Sequence, residues 1–154
     1  MIEVIKTAIL FIIALEPNHY LHKDEQALQL LASSYIEASD KYDVDPFLVI
    51  SNTFFESSFK PNVIGHAGEV GLAQVHGEAR ALCKQEGYKP TTIRGGVLCS
   101  AYLLRRGKNM CGSWLVSLVK YRSGQCLKHN AFYLRKARMR CRFAQYIRRK
   151  FFVK

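Results

Sequence analysis

The apolar positions of the chain recur mostly at helical spacing. After Lys6, residues 7–15 are almost all apolar, a run too short to span a bilayer. From Glu25 to Tyr42 the residues Ala27, Leu28, Leu30, Leu31, Tyr35, Ile36 and Ala38 form one helical stripe. The stretch "PNHYLHKD", residues 17–24, reads as a connector between these two segments. Asp45 and Pro46 then give a helix start, a capping carboxylate followed by a residue suited to the first turn. The helix they open runs through "FLVISNTFFESSF" and stops before Pro61. Residues 61–75 hold Pro61, Asn62, Gly65, Gly68 and Gly71, which predicts a loop with room for a short hairpin. Helical patterns resume at "GEARALCKQEG", "IRGGVLCSAYLLRRG" and "GSWLVSLVKY", each ending near a glycine or at the turn of residues 121–124. Residues 127–154 are helical in pattern and strongly basic.

Composition narrows this to a mainly α domain with a single core. The 154 residues are 49% hydrophobic, with only 10 glycines and 4 prolines, so the chain can bury a core. Residues 1–20 are expected to be an apolar first helix packed on the domain, or alternatively an export signal. Glu3 in the charged end and the lack of a small-x-small site argue for the first. Residues 21–154 form the domain proper.

Charge and chemistry add partners. With 23 Lys and Arg against 12 Asp and Glu the net charge is +11, a surface that attracts polyanions. No helix-turn-helix, RNA-binding or zinc-finger pattern accompanies it, so specific nucleic-acid binding is not expected. In the last stretch Leu134, Ala137, Cys141, Ala144, Ile147 and Phe151 fall near one face, with the arginines and lysines elsewhere. That helix is expected to pack on the domain with its basic face in solvent, or to bind anionic lipid or envelope polymer. Five cysteines, Cys83, Cys99, Cys111, Cys126 and Cys141, lack zinc spacing and fit either two disulfides and a thiol or five reduced thiols. His19, His22, His66, His76 and His129 are scattered, so neither a metal nor another cofactor is expected.

Glu56 is the candidate with chemistry in it. It falls in the last turn of its helix beside the stripe of Phe47, Ile50, Ser51 and Phe54. Partial burial and the negative end of the helix both disfavour a charged carboxylate there. A carboxylic acid kept protonated near neutral pH is what general-acid catalysis needs.

The segment "DVDPFLVISNTFFESSFKPNVIGHAGEVGLAQV" resembles the catalytic segment of lytic transglycosylases in the lysozyme-like superfamily. That family has a helix ending in Glu-Ser, then an aromatic residue and Pro, then a glycine loop closing in Gly-Leu-Met-Gln. Here these are Glu56, Ser57, Phe59, Pro61, Gly68, Gly71, Leu72, Ala73 and Gln74, with Ala73 in the methionine position. Further on, Ala101, Tyr102 and Leu103, then Tyr121, Arg122, Ser123 and Gly124, resemble the later family blocks, with Arg122 in place of Asn. The resemblance covers roughly residues 32–125, with element order and spacing kept.

The resemblance implies a lysozyme-like fold with a small loop or hairpin region after the catalytic helix. It implies cleavage of peptidoglycan glycan strands, with Glu56 as the acid and then the base. Ser57, Gly71, Leu72, Gln74 and Tyr121 are the implied substrate-side residues, Tyr121 being the tyrosine that reaches the catalytic carboxyl. Glu69 is the one other acid between Glu56 and Gln74, and a water held by it would turn the reaction to hydrolysis. A lysozyme-type hydrolase and a non-catalytic envelope-binding protein are therefore the alternatives. The place of action is the bacterial envelope, reached by export or as a phage or mobile-element protein.

Overall fold

The computed structural model describes residues 1–152, and among these are seven α-helices. They are α1 (Ile2–Ile12), α2 (Glu25–Tyr42), α3 (Pro46–Ser57), α4 (Gly77–Gln85), α5 (Ile93–Cys111), α6 (Trp114–Ser123) and α7 (Ala131–Phe151). A short 3₁₀ turn, Tyr20–His22, interrupts the connector between α1 and α2. Lys154, the end of the basic stretch, lies outside the described residues.

α3 is the central element. Asp45 caps it through a 2.9 Å hydrogen bond from the Phe47 N–H, with Pro46 in the first turn. Its residues from Phe47 to Thr53 are all buried, which fits a helix enclosed by α2, α5 and α7. Of the predicted stripe of α2, Leu28, Leu31, Tyr35 and Ala38 enter the core, joined by Ala32, whereas Leu30 is exposed. Burying side chains of this kind stabilises the fold by roughly 1.5–3 kcal/mol for each large one.

The helix of Glu56 ends earlier than its apolar pattern suggests. Ser58 and Phe59 both take left-handed backbone angles, φ 51° and 61°, and the chain turns away there. The N-terminal segment pins this turn. His19 Nε2 lies 2.7 Å from the Ser58 carbonyl oxygen, the Tyr20 hydroxyl donates to the Phe59 carbonyl at 2.9 Å, and the Ser58 hydroxyl donates to Glu16 at 2.5 Å. α1 also enters the core, through Ile5, Ala8, Ile9 and, just past its end, Ile13. None of the described helices is long and apolar enough to cross a membrane.

α5 does not end at Gly107, as the sequence pattern suggests, but continues to Cys111. A Cβ on Gly107 would come within 2.5 Å of the Ser117 Oγ, so this glycine lets α6 cross closely. The Ser117 hydroxyl uses that proximity to donate to the Leu104 carbonyl at 2.6 Å. Four cysteines pair, as Cys83–Cys99 and Cys111–Cys126, and Cys141 is free. The first bridge ties α4 to α5, and the second ties the end of α5 to the segment after α6.

Candidate active site

Asn52 and Glu56 are one helical turn apart, so α3 presents them on the same face. The Asn52 side chain is fully buried and donates to the Ser100 hydroxyl on α5 at 3.1 Å. The Glu56 side chain is 13% exposed and opens onto a cleft of about 620 Å³, a size typical of ligand sites. Glu69, Gln74 and His76 line this cleft on the loop side. Tyr121 and Arg122 of α6 line it as well, together with Lys120 and with Arg106 of α5.

The loop of residues 61–76 forms no strand. It closes through isolated antiparallel bridges between Ile64 and Val70 and between Val70 and Val75. Gly71 makes the sharpest approach: its φ is 76°, and a Cβ there would sit 2.0 Å from the Pro90 carbonyl oxygen. Gln74, itself at φ 48°, donates through Nε2 to the carbonyls of Val63 at 3.0 Å and Gly71 at 2.8 Å. Its donor is therefore engaged within the loop, and its amide oxygen remains for a ligand.

Ser57, Gly71 and Leu72 stand behind the cleft wall. The Ser57 hydroxyl donates to the Leu72 carbonyl at 2.8 Å and thereby ties α3 to the loop. Leu72 is fully buried, with its Cβ against Gly96. These three residues shape the site from within the core. Ala73 is also buried, and its carbonyl accepts the Tyr121 hydroxyl at 2.7 Å. Burial, and after it the charge of Glu56, push the Tyr121 phenol upward, so Tyr121 stays neutral beside Glu56.

Glu69 differs from Glu56 in its surroundings. Hydrogen bonds from its own N–H and from that of Ala67, the latter at 2.9 Å, hold its carboxyl below the usual range. It is an ionised loop acid with its acceptors partly occupied by backbone.

Glu56 has a partner that the sequence reading missed. Arg140 on α7 donates from Nη1 to Glu56 Oε1 at 2.6 Å, and its side chain is only 2% exposed. The same nitrogen donates to Asn52 Oδ1. Arg122 adds a second, looser cation, with Nη1 4.0 Å from Glu56 Oε1. The sequence places Glu56 at a helix end beside an apolar stripe; the structure adds two guanidinium groups next to its carboxyl. The expectation that every cation of the last helix lies off its apolar face is corrected here. The buried set on α7 is Ala137, Arg140, Ala144 and Ile147, with Arg140 at the helical spacing of a core residue. That position was the available signal, since a charge on a buried stripe requires a buried partner.

Residues 33–140 match the family described as the transglycosylase SLT domain, more than half of the chain. The chain is also similar to the membrane-bound lytic murein transglycosylase C of Klebsiella pneumoniae subsp. pneumoniae, with 31% identity over 100 residues. That alignment covers 64% of this chain and 25% of the relative, so the chain spans about a quarter of the relative's length. No solved structure matches the chain significantly. Its helical architecture and the match across α2 to α7 agree: the chain belongs to the transglycosylase SLT domain family, with the mainly α, lysozyme-like fold.

Proposed function

We propose that this domain is a lytic transglycosylase that cleaves the β-1,4 bond between N-acetylmuramic acid and N-acetylglucosamine in peptidoglycan, leaving 1,6-anhydro ends. The observation that carries this reading is Glu56, part-buried at the cleft with Tyr121 beside it and the family motif around it. In the first step protonated Glu56 gives its proton to the glycosidic oxygen as the bond to C1 breaks, and the muramyl acetamido oxygen closes on C1. In the second step carboxylate Glu56 takes the proton of the C6 hydroxyl, whose oxygen forms the new bond to C1 and displaces the acetamido group. One carboxyl serves both steps, and no second carboxylate or water is consumed. The backbone hold on Glu69 supports this route over hydrolysis, since a carboxylate already accepting N–H bonds is a poorer base for water. Muropeptides released by wild type and by Glu56→Gln, weighed by mass spectrometry, test the reading: anhydro ends are expected from wild type alone.

The place of action in this reading is the bacterial envelope. α7 carries no acidic residue, and Arg135, Arg138, Arg142 and Arg149 lie along its exposed side with Met139 and Tyr146 among them. This face fits an anionic envelope lipid or polymer. Sedimentation with anionic but not zwitterionic vesicles, lost in high salt, is the expected outcome for lipid.

A further inference from the structure

We infer that Arg140 is a positioning residue for Glu56, fixing the carboxyl so that one oxygen faces the cleft. The inference rests on the reading of Glu56 as the acid. Glu56 emerges at the end of α3, where the last carbonyls of the helix offer it no donor and repel its charge. A donor has to come from elsewhere, and α7 brings it from 84 positions away in sequence.

The guanidinium is fixed independently of Glu56. The Ser51 hydroxyl donates to the Arg140 carbonyl at 2.8 Å, which docks this turn of α7 on α3. Nη1 is held by Asn52 Oδ1, and the Phe55 ring lies 5.8 Å from the guanidinium carbon. Asn52 in turn is fixed by Ser100. Nε, buried, has no hydrogen-bond partner, so the polar contacts of the side chain run through the edge that faces Asn52 and Glu56. A planar guanidinium held in this way fixes where its Nη1 meets the carboxyl. Glu56 Oε1 takes the bond from Arg140, while Oε2 accepts no hydrogen bond among the described residues and is the oxygen left for a glycosidic oxygen.

The charge has a second consequence. When Glu56 gives up its proton, a guanidinium already in place stabilises the carboxylate left behind, without reorganisation. Lysine at position 140 would keep the charge but lose the fixed planar orientation, and glutamine would lose the charge.

The test uses the full chain with Arg140→Gln, Arg140→Lys and, as a control on the same helix, Arg148→Gln. Arg148 binds Asp45 at 3.1 Å at the start of α3. Turnover of peptidoglycan is measured alongside crystal structures of wild type and Arg140→Gln. In Arg140→Gln, kcat is expected to fall about 100-fold with KM little changed, the loss typical of a reacting group misplaced by about an ångström. Arg140→Lys should recover part of it, and Arg148→Gln should keep wild-type kcat. In the Arg140→Gln crystal the Glu56 carboxyl should leave its wild-type rotamer. A folded Arg140→Gln with wild-type kcat, or with Glu56 in an unchanged rotamer, overturns the inference. So does a kcat loss matched by Arg148→Gln, which would make Arg140 a packing residue. If wild type itself releases no fragments, the reading of the function fails, and the rotamer of Glu56 still decides the role of Arg140.

Discussion

The loop of residues 61–76 and helix α7 both close on the end of α3, but they are held by different kinds of bond. The loop is held by several neutral hydrogen bonds: Gln74 on the Val63 and Gly71 carbonyls, Ser57 on the Leu72 carbonyl, Tyr121 on the Ala73 carbonyl. Each such bond contributes on the order of 1 kcal/mol net, and the loop is stable because they are many. α7 presents one buried guanidinium to one part-buried carboxyl group. The pair as a whole adds little net stability, yet losing either member leaves a charge without its partner. The difference implies that the loop tolerates single changes, whereas the α3–α7 contact fails at one residue.

The largest expected effect follows from that asymmetry. Arg140→Gln should lower stability by about 3 kcal/mol, the low end for a broken buried pair because Glu56 still touches the cleft. Adding Glu56→Gln should return part of the loss, and a double-mutant cycle by denaturant unfolding measures the coupling. Purely additive losses would remove the ion pair from the account.

A covalent hold supports the loop side. α4, which adds Ala79 and Leu82 to the cleft lining, is tied to α5 by Cys83–Cys99, a sequence separation of 16. A closed loop of that length is worth about 3 kcal/mol. Replacing this pair with serines should lower the melting temperature and speed proteolysis around residues 77–85 before it touches α7. Equal loss of protection on both sides would mean that the two regions do not behave as separate units.

The smallest effect is at Glu69. Its carboxyl is held below its ordinary value of 4.5 in the folded protein, so its hydrogen bonds stabilise the loop above that pH and are lost as pH falls through the lowered value. The stability gap between wild type and Glu69→Gln should therefore be constant above pH 4.5 and close below it, as thermal melts across the acid range would show.

The same contrast explains what could be read from the sequence. The loop and α3 are local: the Asp45 cap, Pro46, the glycines and the Glu-Ser motif lie within a few residues of the structure they dictate. The bounds of α2 follow from its stripe for the same reason. Arg140 and the cysteine pairing depend on which helix faces which, and that is decided by packing of the whole chain. Arg140 reads as one more arginine in a basic run until α7 is laid against α3. Gly107 reads as a helix end until α6 is seen to cross there. The motif points Ser57, Gly71 and Leu72 toward the substrate, while in the fold they lie behind the cleft wall.

The proposed glycan cleavage depends on Glu56 being the acid and then the base. The direct measurement is the mass of muropeptides released from insoluble peptidoglycan by wild type and by Glu56→Gln. Wild type should release 1,6-anhydro ends and the variant none. Reducing ends, heavier by one water, or equal release by Glu56→Gln, would contradict it.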